Sequence, residues 1–279
     1  MNRKIILVTG ASAGIGRATA VGLASQAQLL LVGRHPARSE AALAAVRAAG
    51  GEDAQMLQAD LSSLDEVRRL ADDVRTRTDH LDVLVNNAAT VVVRRTVTVD
   101  GYETTFAVNH LSYFLLTGLL LPLLRTRAGA RIVNVASDAH RSAPLNLEDL
   151  QNERSYSMMR VYGQSKTANV LWTQQLACRL KDTDVTANAL HPGVIRTNLG
   201  RGNGPAFDLL HRVIGLFMRS PEEGAKTSLY LATASEVGNI SGRYFANCRE
   251  KDPAPHATDP DVARRLWETS ETLVDFSYP

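Results

Sequence analysis

The chain has 279 residues, 44% apolar and 22% charged, with a formal net charge of +2. That size and balance suit one large α/β domain, or two small ones, with a full core, and a near-neutral chain without a basic run gives no reason to expect nucleic acid or a membrane surface. Cys178 and Cys248 stand alone without metal-ligand spacing, so a reducing compartment and no metal site are expected.

The N-terminus reads directly into a strand over residues 4–8, too short an apolar run for a signal peptide. Thr9-Gly-Ala-Ser-Ala-Gly-Ile-Gly16 follows, and a helical pattern covers 15–26. Glycines at 10, 14 and 16 permit a tight turn and close backbone approach to a pyrophosphate, which the helix start would meet with free N–H groups and a partial positive charge. An ordinary strand–helix turn is the plainer alternative.

The second strand, 29–32, ends at Gly33-Arg34. A carboxylate here would accept from a ribose 2′-hydroxyl, whereas an arginine would pair with a 2′-phosphate. Positions 32–38 contain no acid, and Arg17 is a second cation nearby in sequence. The alternative for Arg34 is a surface arginine. A helix over 36–49 leads to a strand over 54–58 and then Asp60, which would accept from an adenine amino group or cap the next helix, although Ser62 or Ser63 is the better cap. That helix covers 64–78. The strand at 83–85 ends in Asn86-Asn-Ala-Ala89, where small residues would let a ribose lie against the backbone, or the asparagines serve the turn.

The longest apolar stretch, 111–124, is interrupted by Ser112, Tyr113, Thr117 and Pro122. It is too short for a bilayer and reads as a buried helix. Asn109 lies just before it; a buried asparagine needs partners and marks a kink or a held water. Ser137 closes the strand over 131–135, placing a hydroxyl where a substrate oxygen could accept it, although either residue alone would be structural. Residues 137–157 look irregular.

Tyr162-Gly-Gln-Ser-Lys166 then sets a phenol and an ammonium one helical turn apart. The ammonium is expected to lower the phenol pKa toward working pH, which makes an acid/base pair; alone, the motif is equally a solvated helix face. Strands over 185–190 and 243–245 flank a second irregular stretch, 191–220, with a short helix at 207–218. An amphipathic helix at 261–273 ends the pattern. Apolar strands alternating with helices predict a parallel sheet covered on both faces.

In this order, the glycine turn, Asn-Asn-Ala, Asn109, Ser137, Tyr162 and Lys166 resemble the short-chain dehydrogenase/reductase family. The likeness spans residues 3–248 and includes His191-Pro-Gly-Val-Ile-Arg-Thr197, similar to the family's loop around the nicotinamide carboxamide. It implies one Rossmann domain across 1–279. The sheet would be doubly wound, with seven parallel strands in the order 3-2-1-4-5-6-7 and substrate loops at about 138–157 and 192–219. It also implies catalysis by Asn109, Ser137, Tyr162 and Lys166. Tyr162 would move the proton, Lys166 would lower its pKa and hold the ribose, Ser137 would position the oxygen, and Asn109 would hold a relay water. The cofactor would be NADP(H), held by Gly10, Ser12, Ala13, Gly14, Ile15, Gly16, Arg17, Arg34, Asp60, Leu61, Asn87, Ala88, Ala89, Tyr162, Lys166, Pro192, Gly193, Ile195 and Thr197. No metal is implied.

A narrower likeness to the retinol dehydrogenase-like branch rests on residues 109–117, Asp138-Ala-His140, Leu147-Glu-Asp-Leu150 and residues 165–170. That branch implies a lipophilic carbonyl or alcohol substrate. Apolar residues in the two loops, among them Leu145, Met158, Leu199 and Phe207, agree with a bulky hydrophobic molecule, polycyclic or a secondary metabolite. Two positions depart from the family: Asn-Asn-Ala-Ala replaces Asn-Asn-Ala-Gly, which crowds the ribose slightly, and Ala136-Ser137 replaces a serine pair. Further expectations are a cytoplasmic enzyme without a membrane anchor, and a homodimer or homotetramer, because the helices over 101–124 and 158–180 carry more apolar residues than one sheet face needs. Two other readings remain: a nucleotide-sugar epimerase or dehydratase, and a non-catalytic NADP-binding sensor.

Overall fold

In the computed structural model, residues 3–193 and 220–279 are described. Seven apolar runs form parallel strands: β1 (Lys4–Thr9), β2 (Ala27–Gly33), β3 (Gln55–Gln58), β4 (Val83–Asn86), β5 (Arg131–Val135), β6 (Thr186–His191) and β7 (Tyr244–Ala246). Their order is β3-β2-β1-β4-β5-β6-β7, as expected, and the crossover falls between β1 and β4. An eighth strand, β8 (Arg249–Lys251), was not expected. It pairs antiparallel with β7, Tyr244 opposite Lys251. Asn247 and Cys248, with φ of 52° and 57°, make the two-residue hairpin turn. Arg249-Glu-Lys251 is fully charged and exposed, so hydrophobic pattern could not reveal it, and its charges blunt the sheet edge.

The helices are α1 (Gly14–Leu23), α2 (Pro36–Ala48), α3 (Leu64–Arg75), α4 (Thr104–Arg125), α5 (Met158–Arg179), α6 (Pro221–Thr233) and α7 (Pro260–Val274). Ser63 caps α3 by accepting from the Glu66 N–H, as the sequence indicated. Alternate residues of each central strand face opposite layers. Ile6, Val8, Leu29, Leu31 and Val85 pack under α1, α2 and α6. Leu7, Leu30, Leu84 and Ile132 pack under α3, α4, α5 and α7. The expected short helix at 207–218 and most of the loop 192–219 lie outside the described residues.

α4 is a continuous 22-residue helix, longer than the apolar stretch alone predicted. The carboxylate of Glu103 starts it, accepting from the N–H groups of Thr105 and Phe106 at 2.8 and 2.7 Å. Its length and composition would suffice to cross a membrane, yet it is mostly buried inside the domain, where α3 and α5 flank it. Its apolar surplus is a core requirement.

The same packing takes up part of the apolar surplus on α4 and α5. α7 and residues 275–279 fold back over α4 and α5. Trp267 and Tyr278 meet the Phe114 ring at centroid distances of 5.0 and 4.9 Å. Tyr278 donates to the Phe114 carbonyl at 2.6 Å, and Arg68 donates to that of Val274. Gly118 leaves the space this needs, since a Cβ there would lie 2.4 Å from the Phe276 ring. Trp172 and Trp267 are fully buried, about 4–6 kcal/mol each by area as an upper bound. The large exposed apolar side chains among the described residues are Val93, Val97, Val99 and Met159, and of these just Met159 lies on α4 or α5.

Candidate active site

The turn after β1 approaches the end of β4 so closely that side chains are excluded. Gly10 has φ +67° and Gly14 φ +54°, the left-handed region where glycine is unstrained. A Cβ on Gly16 would sit 2.4 Å from the Gly10 carbonyl oxygen. α1 begins after Ala13 with no side-chain cap and no acid in its first turn, so its leading N–H groups remain for an anion. Ser12 lies beside Gly33, and Arg17 is exposed one turn into α1. Thr9 ties the turn to β4: its hydroxyl accepts from the N–H groups of Asn87 and Ala88 at 2.9 and 3.0 Å, and its carbonyl accepts from the Asn87 side chain at 2.8 Å. The Asn87 amide is therefore committed to the fold, and the Ala88 backbone lies against Gly10.

At the ends of β2 and β3, Arg34 and Asp60 meet. The guanidinium lies 3.4 Å from the carboxylate, both partly exposed, so the pair contributes little to stability. Burial pushes the Asp60 carboxyl upward, but hydrogen bonds from Ser62 and the charge of Arg34 hold it below its ordinary value. Leu61 is buried in the core, leaving only its backbone for a ligand.

Asn109 sits in a π-helical turn, Ala107–Leu111, inside α4. Such turns carry one extra residue and shift the backbone register. Its side chain is fully used: Oδ1 accepts from Thr90 N–H at 2.8 Å, and Nδ2 donates to the Thr90 carbonyl and to Ser165 Oγ, both at 3.0 Å. Ser165 in turn donates to the Tyr162 carbonyl at 2.7 Å. Asn109 thus braces the turn of α5 that carries Tyr162 and Lys166.

Ser137 ends β5 and starts the 3-10 turn Asp138–Ser142. Its hydroxyl accepts from Ala139 N–H at 3.2 Å and hydrogen-bonds the Tyr162 phenol. Lys166, 1% exposed, donates to the Val135 carbonyl at 2.9 Å and lies 5.8 Å from the Tyr162 ring centroid. Burial drives its pKa down to about 7. Burial also raises the Tyr162 phenol, although the Ser137 hydrogen bond opposes this and part of the residue still reaches solvent. The expected lowering by Lys166 is therefore not what this geometry gives. With its own pKa lowered by burial to about 7, Lys166 is only partly charged at neutral pH, and burial decides the direction of the phenol shift.

Pro192 and Gly193 follow β6, with Gly193 at φ +96°. Ile195 and Thr197 lie outside the described residues. Sequence reasoning missed a buried amide ladder. Asn86 Nδ2 donates to Thr117 Oγ1 and to Asn134 Oδ1, and Asn134 Nδ2 donates to Thr173 Oγ1, each at 2.9 Å. It joins β4, β5, α4 and α5 directly behind the site. The signal was present: Asn134 interrupts an otherwise apolar strand and stands in register with Asn86.

A pyrophosphate-fitting turn and a serine–tyrosine–lysine cluster share the carboxyl edge of one doubly wound sheet, which defines a dinucleotide-dependent oxidoreductase. The chain belongs to the short-chain dehydrogenase family, whose model matches residues 4–206, and within it to the retinol dehydrogenase-like branch. It is 44% identical to retinol dehydrogenase 14 of Mus musculus over 292 residues, covering 98% of this chain and 86% of that protein. Retinol dehydrogenase 13 of Homo sapiens is 41% identical over 284 residues, covering 99% and 86%. Among solved structures, an uncharacterised protein from Mycobacterium paratuberculosis superposes with a TM-score of 0.81 at 31% identity, covering 100% of this chain and 96% of that one. RhlG of Pseudomonas aeruginosa, solved as an NADP active-site complex, gives 0.71 at 28% identity, covering 88% and 94%.

Proposed function

We propose that the protein is an NADP(H)-dependent oxidoreductase, one domain over 1–279, that interconverts a carbonyl and an alcohol on a hydrophobic, polycyclic or secondary-metabolite substrate. The convergence of Ser137, Tyr162 and Lys166 beside the glycine turn carries this reading. Bound at that turn, the nicotinamide would supply the hydride. Ser137 orients the substrate oxygen and Tyr162 exchanges its proton with that oxygen. Lys166, with a pKa near neutrality, is poised to return a proton to the phenol. Asn109 acts through Ser165 by fixing the turn that bears them.

Arg34 supports NADP(H). It stands at the end of β2 where an NAD-selective site needs a carboxylate, and its side chain is more than half exposed and able to reach a 2′-phosphate. RhlG, a relative of similar fold, was solved with NADP. The names of retinol dehydrogenases 14 and 13, which the chain resembles, support a lipophilic substrate. The unpaired Cys178 and Cys248 suit the reducing cytoplasm.

The test is NADPH oxidation against carbonyls of rising hydrophobic size, all-trans-retinal included, beside polar ketones and nucleotide sugars. Efficiency should rise with apolar area, by roughly 25 cal/mol per Å² buried. Highest efficiency on polar ketones or nucleotide sugars would sink the substrate reading. Arg34→Asp should reverse the cofactor preference, and equal wild-type efficiency with NADH and NADPH would overturn the NADP(H) assignment.

A further inference from the structure

The serine that orients the substrate is held by a histidine with no place in the chemistry above. His140 lies in the 3-10 turn that Ser137 starts and is 0% exposed. Its Nδ1 is 2.8 Å from the Ser137 carbonyl oxygen, and its Nε2 is 3.0 Å from the backbone nitrogen of Ala254. These two contacts admit one protonation state. The Ala254 N–H can only donate, so Nε2 must present its lone pair. The Ser137 carbonyl can only accept, so Nδ1 must carry the proton. A second proton on the ring would set N–H against N–H where no water can intervene.

The rest of the environment holds that state. Burial lowers the His140 pKa, partly offset by the Ser137 carbonyl. Of the charged groups around it, Arg141 and His256 disfavour a second charge and Asp138 favours one. On β7 the Tyr244 ring packs against the imidazole at 4.9 Å, its own hydroxyl kept protonated by burial. The backbone of His140 is held as well. His256 Nε2 donates to its carbonyl at 2.8 Å, Thr167 on α5 donates to it at 3.2 Å, and Arg141 donates to the Asp252 carbonyl at 2.7 Å. His191 at the end of β6 accepts from the Asp138 N–H at 3.1 Å.

We propose that His140 is a positioning residue: as the neutral Nδ1–H tautomer it holds the Ser137 carbonyl and ties the catalytic turn to the segment 252–257 through Ala254. This rests on the proposed role of Ser137 in carbonyl reduction.

Two substitutions dissect it. In His140→Asn the amide nitrogen takes the place of Nδ1 and keeps the bond to Ser137, and in His140→Gln the amide reaches the Nε2 position and keeps only the bond from Ala254. With all-trans-retinal and NADPH as probe, His140→Asn should retain a tenth or more of kcat. His140→Gln should lose about 10–100-fold in kcat with KM nearly unchanged, the scale of a misplaced reacting group. His191 and His256 stay in both variants, so the difference is that of His140. Independently of turnover, ¹⁵N NMR of the wild type at neutral pH should show the Nδ1–H tautomer of His140. An Nε2–H tautomer, or equal kcat for the Asn and Gln variants, overturns the clamp. If the wild type reduces neither retinal nor any other carbonyl, the proposed function fails, while the tautomer measurement still decides for or against His140.

Discussion

The two layers that cover the sheet are built on opposite plans. Under α1, α2 and α6 the core is small and aliphatic, with Phe245 its one fully buried large ring among the described residues and Tyr230 half-buried against it. Under α3, α4, α5 and α7 it holds Trp172, Trp267, Phe106, Phe114 and Tyr113. The first layer must bring a helix start and a glycine turn against strand ends, which demands small residues. The second carries Asn109, Tyr162 and Lys166 and must hold them in fixed orientation, which bulk and interlocking rings provide. Close approach binds the nucleotide; rigid bulk positions the chemistry.

The largest expected effect tests where the chemistry sits. Tyr162→Phe should lower kcat by ~10²–10⁴-fold with NADPH binding nearly unchanged, since the ring and its packing survive. Retention of a tenth of wild-type turnover would show that another group carries the proton. Next, Trp267→Ala should cost about 3–5 kcal/mol by opening a cavity beside Phe114 and Tyr278. Urea unfolding would measure this.

The small-residue layer should fail by crowding instead. Gly16→Ala places a Cβ 2.4 Å from the Gly10 carbonyl oxygen, backbone that cannot swing aside. The expected cost is roughly 1–3 kcal/mol, with NADPH binding weakened far more than the fold. Unchanged NADPH affinity by calorimetry would mean that the close approach has no part in binding.

The smallest effect is a slope. His110 on α4 is fully enclosed, and burial lowers its pKa to about 3, reinforced by the Lys166 charge and opposed by Asn169. Its folded pKa is depressed, so the unfolded chain takes up a proton that the folded chain refuses. Nothing is lost above pH ~6.5; below it, stability should fall by about 1.4 kcal/mol per pH unit until the folded value is reached. His110→Gln should flatten that slope between pH 6.5 and 5 in urea titrations. His140, lowered in the same direction, keeps part of the slope in the variant. An identical slope in both proteins would remove His110 as its source.

Much of this was legible in the chain itself. Seven strands announced themselves as apolar runs, and the glycine turn, Asn86–Ala89, Asn109, Ser137 and the Tyr162–Lys166 pair could be placed at strand ends and on helix faces. These signals are local: side-chain period and turn chemistry act over a few residues, and strand order follows from the family likeness they carry. What tertiary structure alone decided depends on residues far apart in sequence. Tyr278 meets Phe114 across 164 positions, which buried part of the apolar surface of α4. Ala254 meets His140 across 114, which fixed a tautomer at the catalytic turn. Lys166 found the Val135 carbonyl in a dry interior, and so desolvation overruled the attraction that a helix turn seemed to promise. Period and turn chemistry are written residue by residue, whereas burial, and with it every pKa and every covered surface, exists only once distant segments have met.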